Sequence, residues 1–242
     1  TLAVWVNQIL HAEGADPADP ADQTRVRAGA GRELKRFLDS AIARTREERR
    51  DGLILSLLDP EFTEQHALSD AEMHNFLHVL VLGGLETVTT ALGFSFLHLG
   101  RRPDLQEKLA SDPALIPSAV EELLRYESSV HPTRTVTQSC TLGGVALRPG
   151  DRIALPYGSA NRDEAVFERP DEILFDRRGN RHLAFGGGNH RCLGSHLARL
   201  EMRIAFEEIF RAIPRFCVPE DFRPRAAGGQ TRSIGNLPFQ IL

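Results

Sequence analysis

From Phe76 to Leu99 the chain is apolar on nearly every face, yet it carries two adjacent glycines, Gly83 and Gly84, and an acid, Glu86, near the middle. A helix of that kind has to be surrounded, by lipid or by the rest of a protein. Its length would suit a bilayer. His78, Glu86 and His98 oppose that reading, because an ionisable group at mid-bilayer costs about 2.5 kcal/mol or more. No other segment looks membranous, so the stretch is expected to run through the centre of a soluble domain. Ser69 with Glu72 forms a capping-box signature at its start. A glycine inside a helix costs about 1 kcal/mol relative to alanine. The glycine pair therefore predicts a place where the helix opens locally and makes room for a small molecule.

The remaining pattern is mostly helical, with sparse strands late in the chain. Helices are predicted over 2–11, 24–49, 103–110, 113–126 and 193–213, with a short one ended by Pro60. In the second, Leu34, Phe37, Leu38 and Ile42 make a buried stripe; in the last, Leu193, Leu197, Leu200 and Ile204 do so before Pro214 stops it. Residues 14–22, "GADPADPAD", read as a flexible loop. "GGVALRPGDRIALP" alternates like a hairpin, with Pro149-Gly150 suited to a type II turn. The 242 residues are 41% hydrophobic, enough for a sizeable core, and the net charge of −4 does not suggest a nucleic-acid binder. Three cysteines, Cys140, Cys192 and Cys217, are odd in number and widely spaced, which argues against a disulfide framework and fits a reducing cytoplasm. "TLAVWVNQIL" has no basic n-region or cleavage signal, so it is not expected to be a signal peptide. It also lacks an initiator Met and starts in mid-helix character, so a fragment is expected.

Cys192 stands just before the last long helix, behind a run of glycines. Free N–H groups and the positive end of the helix dipole favour an anion there, so the position suits a thiolate, a nucleophile or a metal ligand. Glycine serves where a backbone turns sharply or must approach a ligand closely. A buried structural cysteine is the bland alternative. Zinc is another, since His190, Cys192 and His196 lie close in sequence, but no Cys-x-x-Cys pair completes four ligands.

"FGGGNHRCLG", Phe185 to Gly194, reads F-G-x-G-x-H-x-C-x-G. In full, that spacing resembles the haem-binding signature of the cytochrome P450 family. Other family motifs follow the same order. "EELLRY" supplies Glu122 and Arg125, an E-x-x-R whose members share a helix face. A third arginine, matched by Arg177 with Arg178 as the adjacent alternative, completes the family's structural triad. "GGLETV" matches the family's central-helix motif at Gly83, Gly84, Glu86 and Thr87, closest to the camphor-hydroxylase group. The resemblance spans the whole chain but only about the C-terminal three-fifths of the family's length.

The resemblance implies a mainly α fold with small β-sheets, residues 1–242 forming the C-terminal part of one haem-thiolate monooxygenase domain whose N-terminal portion is absent. It makes 14–22 a lid loop. It implies haem b (iron protoporphyrin IX) with the Cys192 thiolate as axial ligand, in a loop built by Phe185, Gly186 and Gly194. Arg134, His182 and His190 match propionate partners; Thr87 matches the residue that orients protons for dioxygen and Glu86 the acid that feeds them, one methylene longer than the usual aspartate. Val130, Thr133, Gln230 and Thr231 would line the substrate side. The implied activity inserts one oxygen atom from dioxygen into a small apolar substrate. An iron–sulfur ferredoxin would supply electrons, with Arg191 and Arg199 near its docking face. No nucleic acid and no membrane is expected as a partner, and the location is cytoplasmic. Three alternatives stand beside this: a non-catalytic metal- or haem-binding fragment using Cys192 without turnover, a fold remnant with an interaction-only function, and a peroxide-using or rearranging relative, against which the Glu86–Thr87 pair speaks.

Overall fold

The computed structural model describes residues 1–49, 51–59, 68–224, 226–227, 231–234 and 236–242. They form two compact units, Thr1–Glu86 and Thr87–Leu242. Pro60, expected to end a short helix, and Gln230, expected near substrate, lie outside the described residues.

The first unit holds helices α1 (Leu2–His11), α2 (Pro20–Glu48), α3 (Leu53–Leu58) and α4 (Asp70–Leu85). α2 starts earlier than the pattern predicts, because Asp19 caps it by accepting from Ala21 N–H at 2.9 Å and Pro20 suits the first turn. It therefore takes the last part of the predicted 14–22 loop. Its buried face is Ala30, Leu34, Leu38 and Ile42, one residue per turn. Phe37 stands 40% exposed beside Trp5, off that face. Ser69 and Glu72 form the expected capping box of α4, which buries Met73 and Leu77 against α2.

The predicted continuous helix is interrupted: α4 ends at Leu85, Glu86 forms a bend, and α5 (Thr87–Leu99) begins after it. The interruption follows Gly83-Gly84, where helix propensity is weakest. By length and composition Asp70–Leu99 could cross a membrane, with a mean hydropathy of 1.5 in its most apolar window. Val79, Leu80 and Leu85 are exposed rather than enclosed.

In the second unit, α5, α6 (Pro103–Ser111), α7 (Ile116–Tyr126) and α9 (Ser195–Ala212) pack around Leu109, Leu123, Met202 and Phe206, and α8 (Tyr157–Ala160) is a single turn. The described residues also form four two-stranded antiparallel sheets. β1 (Thr133–Thr135) pairs with β4 (Arg152–Ala154), and β2 (Cys140–Leu142) with β3 (Val145–Leu147). This corrects the expected hairpin. Pro149-Gly150 does turn, with Asp151 N–H donating to Arg148 C=O at 3.1 Å and Gly150 at φ 93°, but it joins strands of two different sheets. The tight hairpin link is Gly143-Gly144, both at positive φ. The last two sheets join β5 (Phe216–Cys217) to β8 (Gln240–Ile241) and β6 (Ala226–Ala227) to β7 (Ser233–Ile234).

α9 reverses the predicted sidedness. It buries Met202, Phe206 and Phe210 in the core, while Leu193, Leu197, Leu200 and Ile204 face outward. The helix carries two apolar stripes, and the larger aromatic one wins the core. Gly100 ends α5 against the chain that enters from β5: a Cβ there would stand 3.0 Å from Phe96 O and 3.1 Å from Val218 N. Backbone atoms cannot move aside cheaply, so Gly100→Ala should lower stability by about 1–3 kcal/mol, the usual cost of overpacking. Urea unfolding of the variant beside the parent checks this.

Candidate active site

The site is built from α7 outward. Glu122 and Arg125 are fully buried on one face of that helix. Arg125 uses all five of its donors. Nε and Nη2 give two parallel bonds to the Glu122 carboxylate at 2.9 and 2.8 Å. Nη1 donates to the carbonyls of Asn161 and Pro170, both at 2.8 Å, and Nη2 to that of Glu172 at 2.9 Å. Glu122 also accepts from Arg177 Nε at 3.0 Å, Leu174 N–H at 2.9 Å and Asn180 Nδ2 at 3.2 Å. Of the two arginines the sequence left open, Arg177 is the one brought into this cluster; Arg178 is exposed.

The irregular segment that these bonds hold leads directly to the cysteine loop. Asn161, wholly buried, makes the connection. Its side chain accepts from Leu183 N–H at 2.7 Å and donates to Ser128 Oγ at 2.7 Å. Nothing in the spacing of motifs singles out Asn161. A polar residue followed by charged ones in a loop carries no periodic signal.

Within the loop, Cys192 N–H donates to Phe185 C=O at 2.8 Å, closing it around the glycines. Gly186 has φ 66°, and a Cβ there would meet Tyr157 Oη at 3.2 Å and His190 O at 3.3 Å. It therefore needs both the left-handed backbone and the missing side chain. Gly194 has an ordinary φ of −79°. The Cys192 thiol is exposed at the head of α9.

A second clamp holds the two flanks of this loop. Glu121, next to Glu122, accepts from Arg199 Nε at 2.6 Å and Nη2 at 2.9 Å, and pairs with His182 Nε2 at 3.0 Å. Ala184 N–H donates to His182 Nδ1 at 3.2 Å, so Nε2 carries the ring proton and donates to Glu121. Both nitrogens of His182 are engaged. These bonds tie the ring back toward α7. Arg199 likewise does not stand free for a partner: its guanidinium lies 4.4 Å over the Phe185 ring. Burial pushes the Glu121 carboxyl up, but the hydrogen bonds and charges of His182 and Arg199 outweigh it and hold it at about 2.

Arg134 lies on β1, half-buried, with Nη1 donating to the carbonyl of the preceding Thr133 at 2.9 Å, and His190 is exposed in a single 3₁₀ turn. Val130 and Thr231 are brought together as an isolated antiparallel bridge, while Thr133 accepts from Arg152 at 2.8 Å. Thr87 begins α5, half-buried. Cβ atoms added at Gly83 or Gly84 would meet nothing within 4 Å. Glu86, buried, pairs with His11, a residue the sequence did not single out, and its Oε2 is buried without a hydrogen-bond partner among the described residues. Among the described residues no group of three or more His, Cys, Asp or Glu could hold a metal ion, so His190, Cys192 and His196 do not assemble a zinc site. An exposed single thiol, a loop stripped of side chains and flanking cations fit a large flat anionic ligand ligated through one sulfur.

Residues 18–218 match the cytochrome P450 family. The chain is 34% identical over 98% of its length to "Probable cytochrome P450 127A1" of Sinorhizobium fredii (strain NBRC 101917 / NGR234), of which it covers 54%. It is 38% identical over 76% of its length to the steroid C26-monooxygenase of Mycolicibacterium smegmatis (strain ATCC 700084 / mc(2)155), of which it covers 46%. The solved structure of cytochrome P450 CREJ in complex with (4-ethylphenyl) dihydrogen phosphate superposes with a TM-score of 0.90 at 30% identity, over all of this chain and 60% of that one. The fold and the cysteine loop thus define a haem-thiolate class of protein, and the chain belongs to the cytochrome P450 family. It spans about half the length of the relatives it matches.

Glu121 generates a pH test. Its folded value of about 2 lies below the ordinary 4.5, so its contribution to stability is fully present above pH ~4.5 and is lost as pH falls toward 2. Glu121→Gln should be less stable than the parent at neutral pH, with the gap closing between those values. Urea unfolding of both across the acid range measures it.

Proposed function

We propose that this protein is a bacterial, cytoplasmic haem-thiolate monooxygenase that inserts one oxygen atom from dioxygen into a small apolar substrate. The observation that carries this reading is Cys192, an exposed thiol at a helix N-terminus in a loop closed on Phe185 and pinned to the Glu122 cluster. The cofactor is haem b. Ligated by Cys192, it supplies dioxygen activation, because a thiolate ligand favours O–O cleavage.

The chain's own residues do the rest. Phe185, Gly186 and Gly194 shape the loop around the sulfur. Arg134 and His190 hold the propionates by charge-assisted hydrogen bonds. Gly83 and Gly84 leave room beside the helix interruption, where Thr87 orients a proton and Glu86 feeds it. Val130, Thr133 and Thr231, with Gln230, border the substrate. Residues 1–242 act as the C-terminal part of a single domain, with the loop at 14–19, the part of 14–22 that precedes α2, as its lid. Electrons come singly from an iron–sulfur ferredoxin, met by basic side chains such as Arg191 near the cysteine.

The test is to load the protein with haem, reduce it, add carbon monoxide and record the difference spectrum. A strongly red-shifted Soret band, lost in Cys192→Ala, is expected. A band of histidine type, or none, would mean that these residues do not build the thiolate site. In the loaded protein, Thr87→Ala should keep that band while product per electron pair falls about tenfold or more and hydrogen peroxide rises, as expected when a positioned proton donor is lost.

A further inference from the structure

We propose that His11 is the second member of a buried proton relay with Glu86, supplying the acid that the reading above makes the proton feeder. His11 sits in the last turn of α1, before Ala12 ends the helix in a left-handed conformation at φ 54°. Its side chain is 13% exposed and that of Glu86 8%, and Nε2 of the ring meets Oε1 of the carboxylate. The two outer atoms, His11 Nδ1 and Glu86 Oε2, are buried and make no hydrogen bond among the described residues. Buried polar atoms are almost always paired, and leaving one unpaired costs about 1–3 kcal/mol. A pair built only to fix α1 to Glu86 would gain nothing from carrying two such atoms. A pair built to pass a proton needs both, one to receive it and one to release it.

Imidazole suits the task because it takes a proton on one nitrogen while giving one up from the other. Nδ1 takes a proton from a water that reaches it, Nε2 passes its proton to Oε1, and the carboxyl, already protonated on Oε2, releases that proton to the acceptor. One proton moves from solvent to the acceptor and no electrons move. A flip of the ring, which brings the newly protonated nitrogen round to Glu86, and a turn of the carboxyl, which carries the new O–H outward, reset the pair. His11 thus acts through Glu86, as a positioning and relay residue.

His11→Gln keeps a donor for Glu86 but cannot take a proton at one end and release it at the other; His11→Phe removes both functions. In the haem-loaded protein, both variants should keep the red-shifted carbon monoxide band while product per electron pair falls about tenfold and the solvent deuterium isotope effect rises. In the cofactor-free protein, a downfield, slowly exchanging His11 ring N–H resonance should be present and should vanish in Glu86→Ala. Unchanged coupling and isotope effect in His11→Gln, with the band intact, would overturn the relay alone and leave His11 as a packing contact. Absence of the ring resonance would also overturn it. Loss of the band in the parent would overturn both the relay and the monooxygenase reading.

Discussion

Glu122 and Arg125 can be buried almost completely because every polar atom they bring is used. Taking an ion pair out of water costs several kcal/mol per ion unless geometry and further hydrogen bonds compensate. Here the bidentate pair is only the start. Three carbonyls take the remaining donors of Arg125, and Arg177, Leu174 and Asn180 fill the carboxylate. Those partners lie in the irregular stretch between Asn161 and Asn180, which has no regular ladder of its own beyond the short helix before it. The cluster therefore does for that stretch what backbone ladders do elsewhere, and fixes where the following loop begins.

Two adjacent carboxylates on α7 divide the work. Neighbours on a helix point about 100° apart. Glu122 faces the buried stretch, whereas Glu121 reaches His182 on one flank of the cysteine loop and Arg199 on the other. Phe185 joins the two systems: its carbonyl accepts from Cys192 N–H, and its ring lies under Arg199. Cys192 is thus held by backbone and neighbours, while its sulfur stays open. A ligand atom held this way needs little reorganisation when it is used.

Much of this was legible in the sequence, for reasons that differ by element. The capping box, the E-x-x-R pair and the cysteine loop are short-range signals whose spacing dictates geometry. Asn161, Glu121 and His11 escaped because their partners lie far along the chain, 22 residues away for Asn161 and Leu183, 78 for Glu121 and Arg199, and 75 for His11 and Glu86. The hairpin expectation failed because Pro149-Gly150 satisfies the local rules for a turn, while strand partners are chosen by what lies before Gly143-Gly144. Periodicity found the helices but not which apolar face each would bury.

α9 shows why periodicity stops there. Both stripes recur at helical spacing, and burial of either would be favourable at roughly 25 cal/mol per Å². Within this chain, phenylalanines meet phenylalanines: Phe206 stands 5.4 Å from Phe96 and 6.4 Å from Phe210, centroid to centroid. That leaves Leu193 at 75% and Leu197 at 59% exposure, starting at the residue after Cys192. A stripe of leucines beside an open thiol makes poor solvent-facing surface, since apolar patches of this kind mark sites that other groups cover. The aromatic stripe sets how α9 sits in the fold, and the aliphatic one gives the thiol's neighbourhood its apolar character. A helix given only one of them could seat itself in the core or flank the sulfur, but not both.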